Sequence, residues 1–285
     1  MAADCDLGVP ELAMLEYPLY GRSSSILQDL RIRLDRLIRT DWSVRLPKGR
    51  IIFSCPNRST KKRVSTLFSK EPATLEWIEE MGAEDVFWDI GANIGVYSLY
   101  AAIEKSLRVY AFEPAASNYH VLVRNVSLNR IEEKVSPLCI AFHNATRLGV
   151  LRSKSLRPGS SRHSFGSQPG LSPKPSEQSA MATLGIKIDD FVRLFAPQAP
   201  NHIKIDVDGN ERLILEGASQ TLLQPSLRSM LVEIDLAAPS EADFVFNQLG
   251  SAGFFVHSRA RTNLSPLATG CTTYNYVFKR SPPAV

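Results

Sequence analysis

The stretch that most constrains this chain is VFWDIGANIGVYSLYAA, Val86 to Ala102. A strand-like apolar run ends on a carboxylate, Asp89, and passes through Gly91 and Gly95 into a helix-like apolar run. A buried strand, a tight glycine turn and a packed helix in immediate succession make the opening unit of a parallel α/β sheet. The later sequence keeps the rhythm. RVYAF, VSPLCIAF, HIKIDV and SMLVEI read as strands, and SNYHVLVRNVSLN, NERLILEGASQTLL and DFVFNQLGSAG as helices between them. FFVHS and YNYVFKR close the chain as an expected antiparallel pair. The expected fold class is α/β, a mostly parallel sheet with helices on both faces.

Upstream, ILQDLRIRLDRLIR carries Ile26, Leu27, Leu30, Leu34, Leu37 and Ile38 at helical spacing, and TLEWIEEMG reads as a short helix ending at Gly82. Two regions follow: a basic helical extension over 1–70 and a main domain over 71–285. Within the latter, residues 151–180 are dominated by Ser, Pro, Gly and basic residues. They are expected to be a flexible insert, either a lid or a disordered loop.

With 285 residues, 44% of them hydrophobic, the chain can bury one sizeable core. Its net charge of +4 is uneven: residues 20–70 hold thirteen Lys and Arg against three acids. Such a segment is a solvated face or attracts an anionic partner. The four cysteines, Cys5, Cys55, Cys139 and Cys271, form no C-x-x-C pair, which argues for free thiols and against structural zinc. Cys139, in an expected strand, reads as a small core residue. The first twenty residues are acidic, so no secretory leader is expected, and no apolar window suits a membrane span. The expected compartment is the cytoplasm.

The glycine turn indicates a nucleotide-like ligand beyond the carboxyl ends of the strands. Gly91 permits the sharp turn, and Gly95 permits close helix packing. Glu113, at the end of the second strand, is placed to bind both ribose hydroxyls. A dinucleotide fits poorly, because the turn D-I-G-A-N-I-G lacks the middle glycine for a pyrophosphate and brings a repelling carboxylate. S-adenosyl-L-methionine has no phosphate and carries a sulfonium and an ammonium, which suit that carboxylate. In HIKIDVDGNE, alternation places Ile203, Ile205 and Val207 on one face and Lys204, Asp206 and Asp208 on the other. Glu211 falls in the first turn of the next helix. Either this is an ion-paired strand end with a helix cap, or Asp206 and Asp208 stand at the pocket mouth beside donor and acceptor.

D-I-G-A-N-I-G, A-F-E-P and K-I-D-V-D-G-N-E, in that order, resemble the FkbM family of S-adenosylmethionine-dependent methyltransferases. The resemblance spans roughly Glu71 to Lys279, with F-S-K-E-P, T-L-G-I-K-I-D-D-F, L-V-E-I-D and Y-N-Y-V-F in support. It implies a class I methyltransferase fold: a Rossmann-like, seven-stranded, mostly parallel sheet with a reversed last strand. It implies methyl transfer to oxygen on sugars, glycans or natural products. By position, Asp89, Gly91, Asn93 and Gly95 would line the methionine and ribose side, Glu113 would hold the ribose diol, and Ala141 and Phe142 would lie near adenine. Lys204, Asp206, Asp208 and Glu211 match the family's charged run, with Asp208 one methylene shorter than the usual Glu.

The candidate bases are Asp206 and Asp208, with His163 an outside choice and Lys204 orienting Asp206. Asp206, Asp208, Glu233 and Asp235 raise Mg²⁺ as a secondary, unfavoured option. Asn57, Lys61, Lys62 and Arg63 would serve an anionic or carrier-bound acceptor. Two alternatives stand behind this reading. A nucleic-acid methyltransferase would use the basic segment, which has few aromatics for stacking. A non-catalytic binder would keep the fold without turnover.

Overall fold

The computed structural model describes residues 41–161, 163–167, 179–262 and 272–280. All lie in one compact unit, Asp41–Val285. The helix expected over residues 26–38 lies outside them, as do Cys5 and Cys271. Residues 41–54, expected as part of a helical extension, are instead an antiparallel hairpin of β1 (Asp41–Leu46) and β2 (Gly49–Ser54). Alternation explains the correction: Ile51 and Phe53 are fully buried while Arg50 is exposed, a period of two. Helix α1 (Arg58–Ser65) follows, capped by Asn57, whose side chain accepts from the Thr60 N–H. Then comes α2 (Pro72–Glu79), with proline in its first turn.

The α/β body begins with β3 (Val86–Ile90), α3 (Val96–Glu104), β4 (Arg108–Phe112), α4 (Ala116–Asn129) and β5 (Val135–Leu138). Strand β6 (Ala141–Phe142) leads to β7 (Arg147–Ser153), β8 (His163–Ser167) and β9 (Ser179–Ile186). The chain continues through α5 (Ile188–Phe195), β10 (His202–Ile205), α6 (Glu211–Glu216), β11 (Ser229–Asp235), α7 (Pro239–Ser251), β12 (Phe254–Arg261) and β13 (Thr273–Arg280). Among the described residues one sheet runs in the order β12-β13-β11-β10-β3-β4-β5. β13 pairs antiparallel with both neighbours; the other pairings are parallel.

A second sheet, β6-β9-β7-β8, takes up much of the segment expected to be an irregular insert. Apart from residue 162 and 168–178, which are not described, residues 151–180 are strands joined by an anchored turn. Their polar composition hid a mixed sheet in which Leu151 and Phe165 cluster with Ala141 of β6 and with Ala115, and Met181 packs against them. The expected strand 135–142 is likewise divided, because its last two residues pair with β9. Cys139 sits at this break and is exposed, not in the core. The expected helix 210–223 stops at Gly217, where a Cβ would lie 2.3 Å from the His143 carbonyl oxygen.

Two cores cover the two faces of the large sheet. Phe87, Leu99, Val109 and Leu122 belong to one; Trp88, Ile90, Ile203, Ile205 and Val232 belong to the other. At the amino ends of the strands, a buried polar chain fastens α2. Trp77 Nε1 donates to Ser229 Oγ at 2.8 Å, which lies 2.7 Å from His202 Nδ1, and His202 Nε2 lies 2.9 Å from Asp85 Oδ2.

Two asparagines on α4 hold the hairpin. Asn129 accepts from Ile52 N–H at 2.8 Å and donates to Ile52 C=O at 2.7 Å. Asn125 accepts from Ser54 N–H at 2.7 Å and donates to Ile94 C=O at 2.8 Å. Together they satisfy backbone groups that an edge strand would otherwise bury unpaired. Asn125→Ala is expected to cost about 2–4 kcal/mol in urea unfolding, since it orphans a buried donor and a buried acceptor. A loss below about 0.5 kcal/mol would contradict this docking.

Candidate functional site

The turn after β3 is built from left-handed residues: Gly91 (φ 84°), Asn93 (φ 52°) and Gly95 (φ 83°). A Cβ at Gly91 would lie 2.0 Å from the Asp206 carbonyl oxygen, and one at Gly95 would lie 2.4 Å from Leu122 Cδ1. Gly91 therefore joins the two informative motifs directly, because the Asp206 backbone passes where a side chain would be. Gly95 lets α3 sit close to α4. Asn93 N–H donates to Glu113 Oε2 at 2.8 Å, and Ala115 N–H donates to Glu113 Oε1 at 2.9 Å. Glu113 is buried, and burial pushes its carboxyl up to about 7 against the pull of these donors.

Asp89 lies on the opposite side of its strand from Trp88 and Ile90, facing α3 and away from the cavity wall. Its Oδ2 accepts from Ser98 Oγ at 2.5 Å, and its Oδ1 is 3.8 Å from Lys204 Nζ. Lys204 stands directly opposite Asp89 in the β3–β10 register. Only 1% of its side chain is exposed, and Nζ donates to Asp206 Oδ2 at 2.8 Å. It also lies 5.3 Å from the Tyr97 ring centre. Burial opposes the charge on Lys204, but Asp206 and Asp89 raise its pKa. Burial also opposes the charge on Asp206, yet Lys204, Lys70 and Arg63 hold its carboxyl below the usual range. The arrangement is a buried cation between two carboxylates, with Asp206 presented at the cavity.

The cavity lies beyond the carboxyl ends of β3, β4, β10 and β11. One flank is apolar: Phe112, Ile140, Ala141, Phe142, Leu151 and Phe165. The other is charged: Glu113, Asp206, Asp208, Glu233, Arg63 and Lys70. A side chamber on Gly91, Asn93, Tyr97, Lys204 and Asp206 shares Arg63 and Lys70 with it. Asp206 continues the β10 pairing through its N–H to Ile90 C=O at 3.1 Å, just past the last strand residue. Asp208 is exposed, and its Oδ2 accepts from His163 N–H at 3.2 Å. His163 thus joins Asp208 at the wall, its Nε2 3.2 Å from Ser160 Oγ. Glu211 opens α6 and accepts from Gly209 N–H at 3.3 Å. Burial pushes it up to about 8, but it is not on the cavity wall.

The turn at 158–160 closes over this site. Asn57 Nδ2 donates to Pro158 C=O at 2.9 Å, Arg63 Nε to Gly159 C=O at 2.7 Å, and Asn93 Nδ2 to Ser160 C=O at 2.8 Å. Asn118 accepts from Gly159 N–H at 2.7 Å. Of the four residues expected to meet an anion, Arg63 lines the cavity. Asn57 is a helix cap, and Lys61 lies 4.4 Å over the Trp42 ring. Lys62 is exposed. Asp235 is bound by Thr272 Oγ1 at 2.5 Å and Ala237 N–H at 3.0 Å, off the cavity. Among the described residues no cluster of three or more His, Cys, Asp or Glu is positioned to hold a metal.

Sequence reasoning missed Lys70, Tyr97 and Phe165 as site residues. Glu71, in the F-S-K-E-P run, pairs with Lys70 and accepts from Tyr97 Oη at 3.0 Å and Asn275 Nδ2 at 3.1 Å. A buried acid beside a lysine just before a proline-led helix was the available signal. Phe165 gave none, because its place depends on pairing across the second sheet.

The glycine turn bound to an acid on the next strand, with a carboxylate-lined cavity at the strand ends, defines a Rossmann-like ligand site. Residues 89–256 match the methyltransferase FkbM domain, and the chain belongs to that family. Hexuronic acid methyltransferase AglP of Haloferax volcanii is 29% identical over 175 residues, covering 60% of this chain and 65% of the relative. The 31-O-demethyl-FK506 methyltransferase FkbM of Streptomyces tacrolimicus is 26% identical over 177 residues, 54% of this chain and 67% of that protein. The matches thus span about two thirds of each relative. A crystal structure of methyltransferase FkbM from Methylobacillus flagellatus KT superposes with a TM-score of 0.45 at 17% identity, covering 70% of this chain and 44% of that one. No helix among the described residues is long and apolar enough to cross a membrane.

Proposed function

We propose that this protein is a class I, S-adenosyl-L-methionine-dependent O-methyltransferase acting on a hydroxyl of a sugar, glycan or natural product. The observation that carries the reading is the glycine turn locked onto Glu113 and Asp206 beside a cavity rich in carboxylates. Two of these, Glu113 and Glu233, are driven up to about 7 and about 9, chiefly by burial. Such a cavity favours a ligand that brings positive charge, which suits a sulfonium and an ammonium and repels a pyrophosphate.

The donor, when bound, supplies an electrophilic methyl group on sulfur. Glu113 would hold the ribose hydroxyls, and Ala141 and Phe142, with Ile140 beside them, would flank the adenine. Arg63 and Lys70, next to Asn93 and Tyr97, would meet the amino-acid end. Gly91 and Gly95 shape the turn, and Asp89 supports Lys204 from behind. Lys204 fixes Asp206 at the cavity, so that an acceptor hydroxyl can be held in line for displacement. Asp208 and His163 flank the mouth, with Glu211 behind them. The relative named for a hexuronic acid supports an acidic sugar as acceptor.

Calorimetric titration tests the donor. S-adenosylmethionine and S-adenosylhomocysteine are expected to bind, and at 100 times the dissociation constant to stabilise the fold by about 2.7 kcal/mol, while NAD does neither. Labelled transfer to uronic-acid oligosaccharides, with the methyl located by NMR, tests the acceptor. A methyl found on nitrogen, or on nucleic acid alone, would overturn the oxygen assignment.

A further inference from the structure

Methyl transfer to a hydroxyl requires a group that removes the acceptor's proton, and the cavity holds two carboxylates, Glu113 and Glu233, besides the Asp206 and Asp208 pair. We propose that the Glu233 carboxylate, near the carboxyl end of β11, is the group that takes this proton. The inference rests on the donor reading above and adds to it the identity of the base.

The geometry separates Glu233 from the other acids. It lines the same cavity as Asp206 and Asp208, on the parallel strand next to the one that presents Asp206. Asp206 is tied to Lys204 Nζ, and both oxygens of Glu113 are occupied by backbone N–H groups. Asp208 is exposed and accepts from His163 N–H. Among the described residues, Glu233 alone of these cavity carboxylates has neither a hydrogen-bond nor an ion-pair partner. Its lone pairs are therefore available to a ligand.

The surroundings make it a strong base. Asp206 just past β10, Glu71 immediately before α2 and Glu211 at the start of α6 oppose its ionisation, and Lys204 is the cation that favours it. Neutral Asn275 stands opposite in the β13 register. Burial, reinforced by these acids, pushes the Glu233 carboxyl up to about 9. Asp206, held low by Lys204, is a much weaker proton acceptor. An alcohol proton passes more readily to the stronger base, and a positioned base contributes roughly 10²–10⁴-fold. With its carboxyl pushed up to about 9, Glu233 is neutral near pH 7 until a cationic donor binds and drives its proton to water. The carboxylate so formed takes the acceptor's proton as the new C–O bond forms and the C–S bond breaks, the electron pair of the latter remaining on sulfur.

The test uses binding. Sinefungin carries a protonated amine in place of the transferable methyl group, and S-adenosylhomocysteine carries nothing there. Calorimetry in buffers of different ionisation enthalpy counts the protons released by each. Near pH 7.5 the wild-type protein is expected to release about one more proton with sinefungin than with S-adenosylhomocysteine. Relative to S-adenosylhomocysteine, sinefungin affinity should tighten roughly tenfold per pH unit between about pH 6 and 8. Glu233→Gln should bind S-adenosylhomocysteine normally and lose both the extra proton and the slope. Glu233→Asp, which keeps the carboxyl, should restore the release, which a merely structural role would not do. Extra release that persists in Glu233→Gln overturns the assignment. Failure of the wild type to bind S-adenosylhomocysteine overturns the donor reading instead.

Discussion

Replacing Lys204 with methionine is expected to lower the unfolding free energy at pH 7 by about 3–5 kcal/mol. Methionine fills a similar volume, so packing is nearly kept and charge is the main loss. The removed ammonium lies 2.8 Å from Asp206 and 3.8 Å from Asp89, and Asp89 is 1% exposed. Asp89 would then be buried without a counter-charge, while Asp206 would keep only Lys70 and Arg63. Asp89 would prefer its neutral form, so its folded pKa would rise further above the unfolded value. A group shifted upward stabilises the fold below the unfolded pKa and loses that stabilisation as pH rises through the folded value. The deficit of the variant should therefore be large at pH 7 and shrink toward pH 4. Urea unfolding of both proteins across that range measures it. A deficit that stays constant with pH would mean that Lys204 acts by packing and not by charge.

Gly91→Ala is the second large effect. At φ 84° an alanine carries left-handed strain of about 1–2 kcal/mol, and its Cβ would lie 2.0 Å from the Asp206 carbonyl oxygen. That neighbour is backbone and cannot rotate away, so the β3 turn and the Asp206 segment must separate. We expect a total loss of about 3 kcal/mol or more, and S-adenosylhomocysteine binding weakened by at least about 100-fold. Thermal unfolding and calorimetry on one sample read both. Wild-type affinity in a folded Gly91→Ala protein would show that the donor does not depend on this turn.

Much of the fold was legible because its strands obey local rules. VFWDI, RVYAF, HIKIDV and SMLVEI are largely apolar runs between turn residues, and each supplied a strand of the large sheet, within a residue or two of its bounds. Gly91 and Gly95 were identified as turn glycines, and both have positive φ. The errors fell where long-range pairing overrides composition. Residues 147–153, 163–167 and 179–186 form strands because they pair with one another, not because they alternate cleanly. The hairpin at 41–54 was missed because Pro47, Gly49 and the flanking charges resemble a linker until α4 supplies Asn125 and Asn129.

The candidate site divides in the same way. By itself, the sequence determined which chemical groups are available: a glycine turn, an acid on the next strand and a charged run after the fourth parallel strand. These are local patterns, set by backbone conformation and side-chain period. Only the tertiary structure decided what each group faces. It turned Asp89 away from the cavity and toward Lys204, anchored each oxygen of Glu113 on a backbone amide, and brought His163 to Asp208 across 45 residues. It also left Glu233 at the wall among three other acids. The reason is physical: charge, burial and reach are properties of neighbours in space, and a parallel sheet gathers those neighbours from distant strand ends.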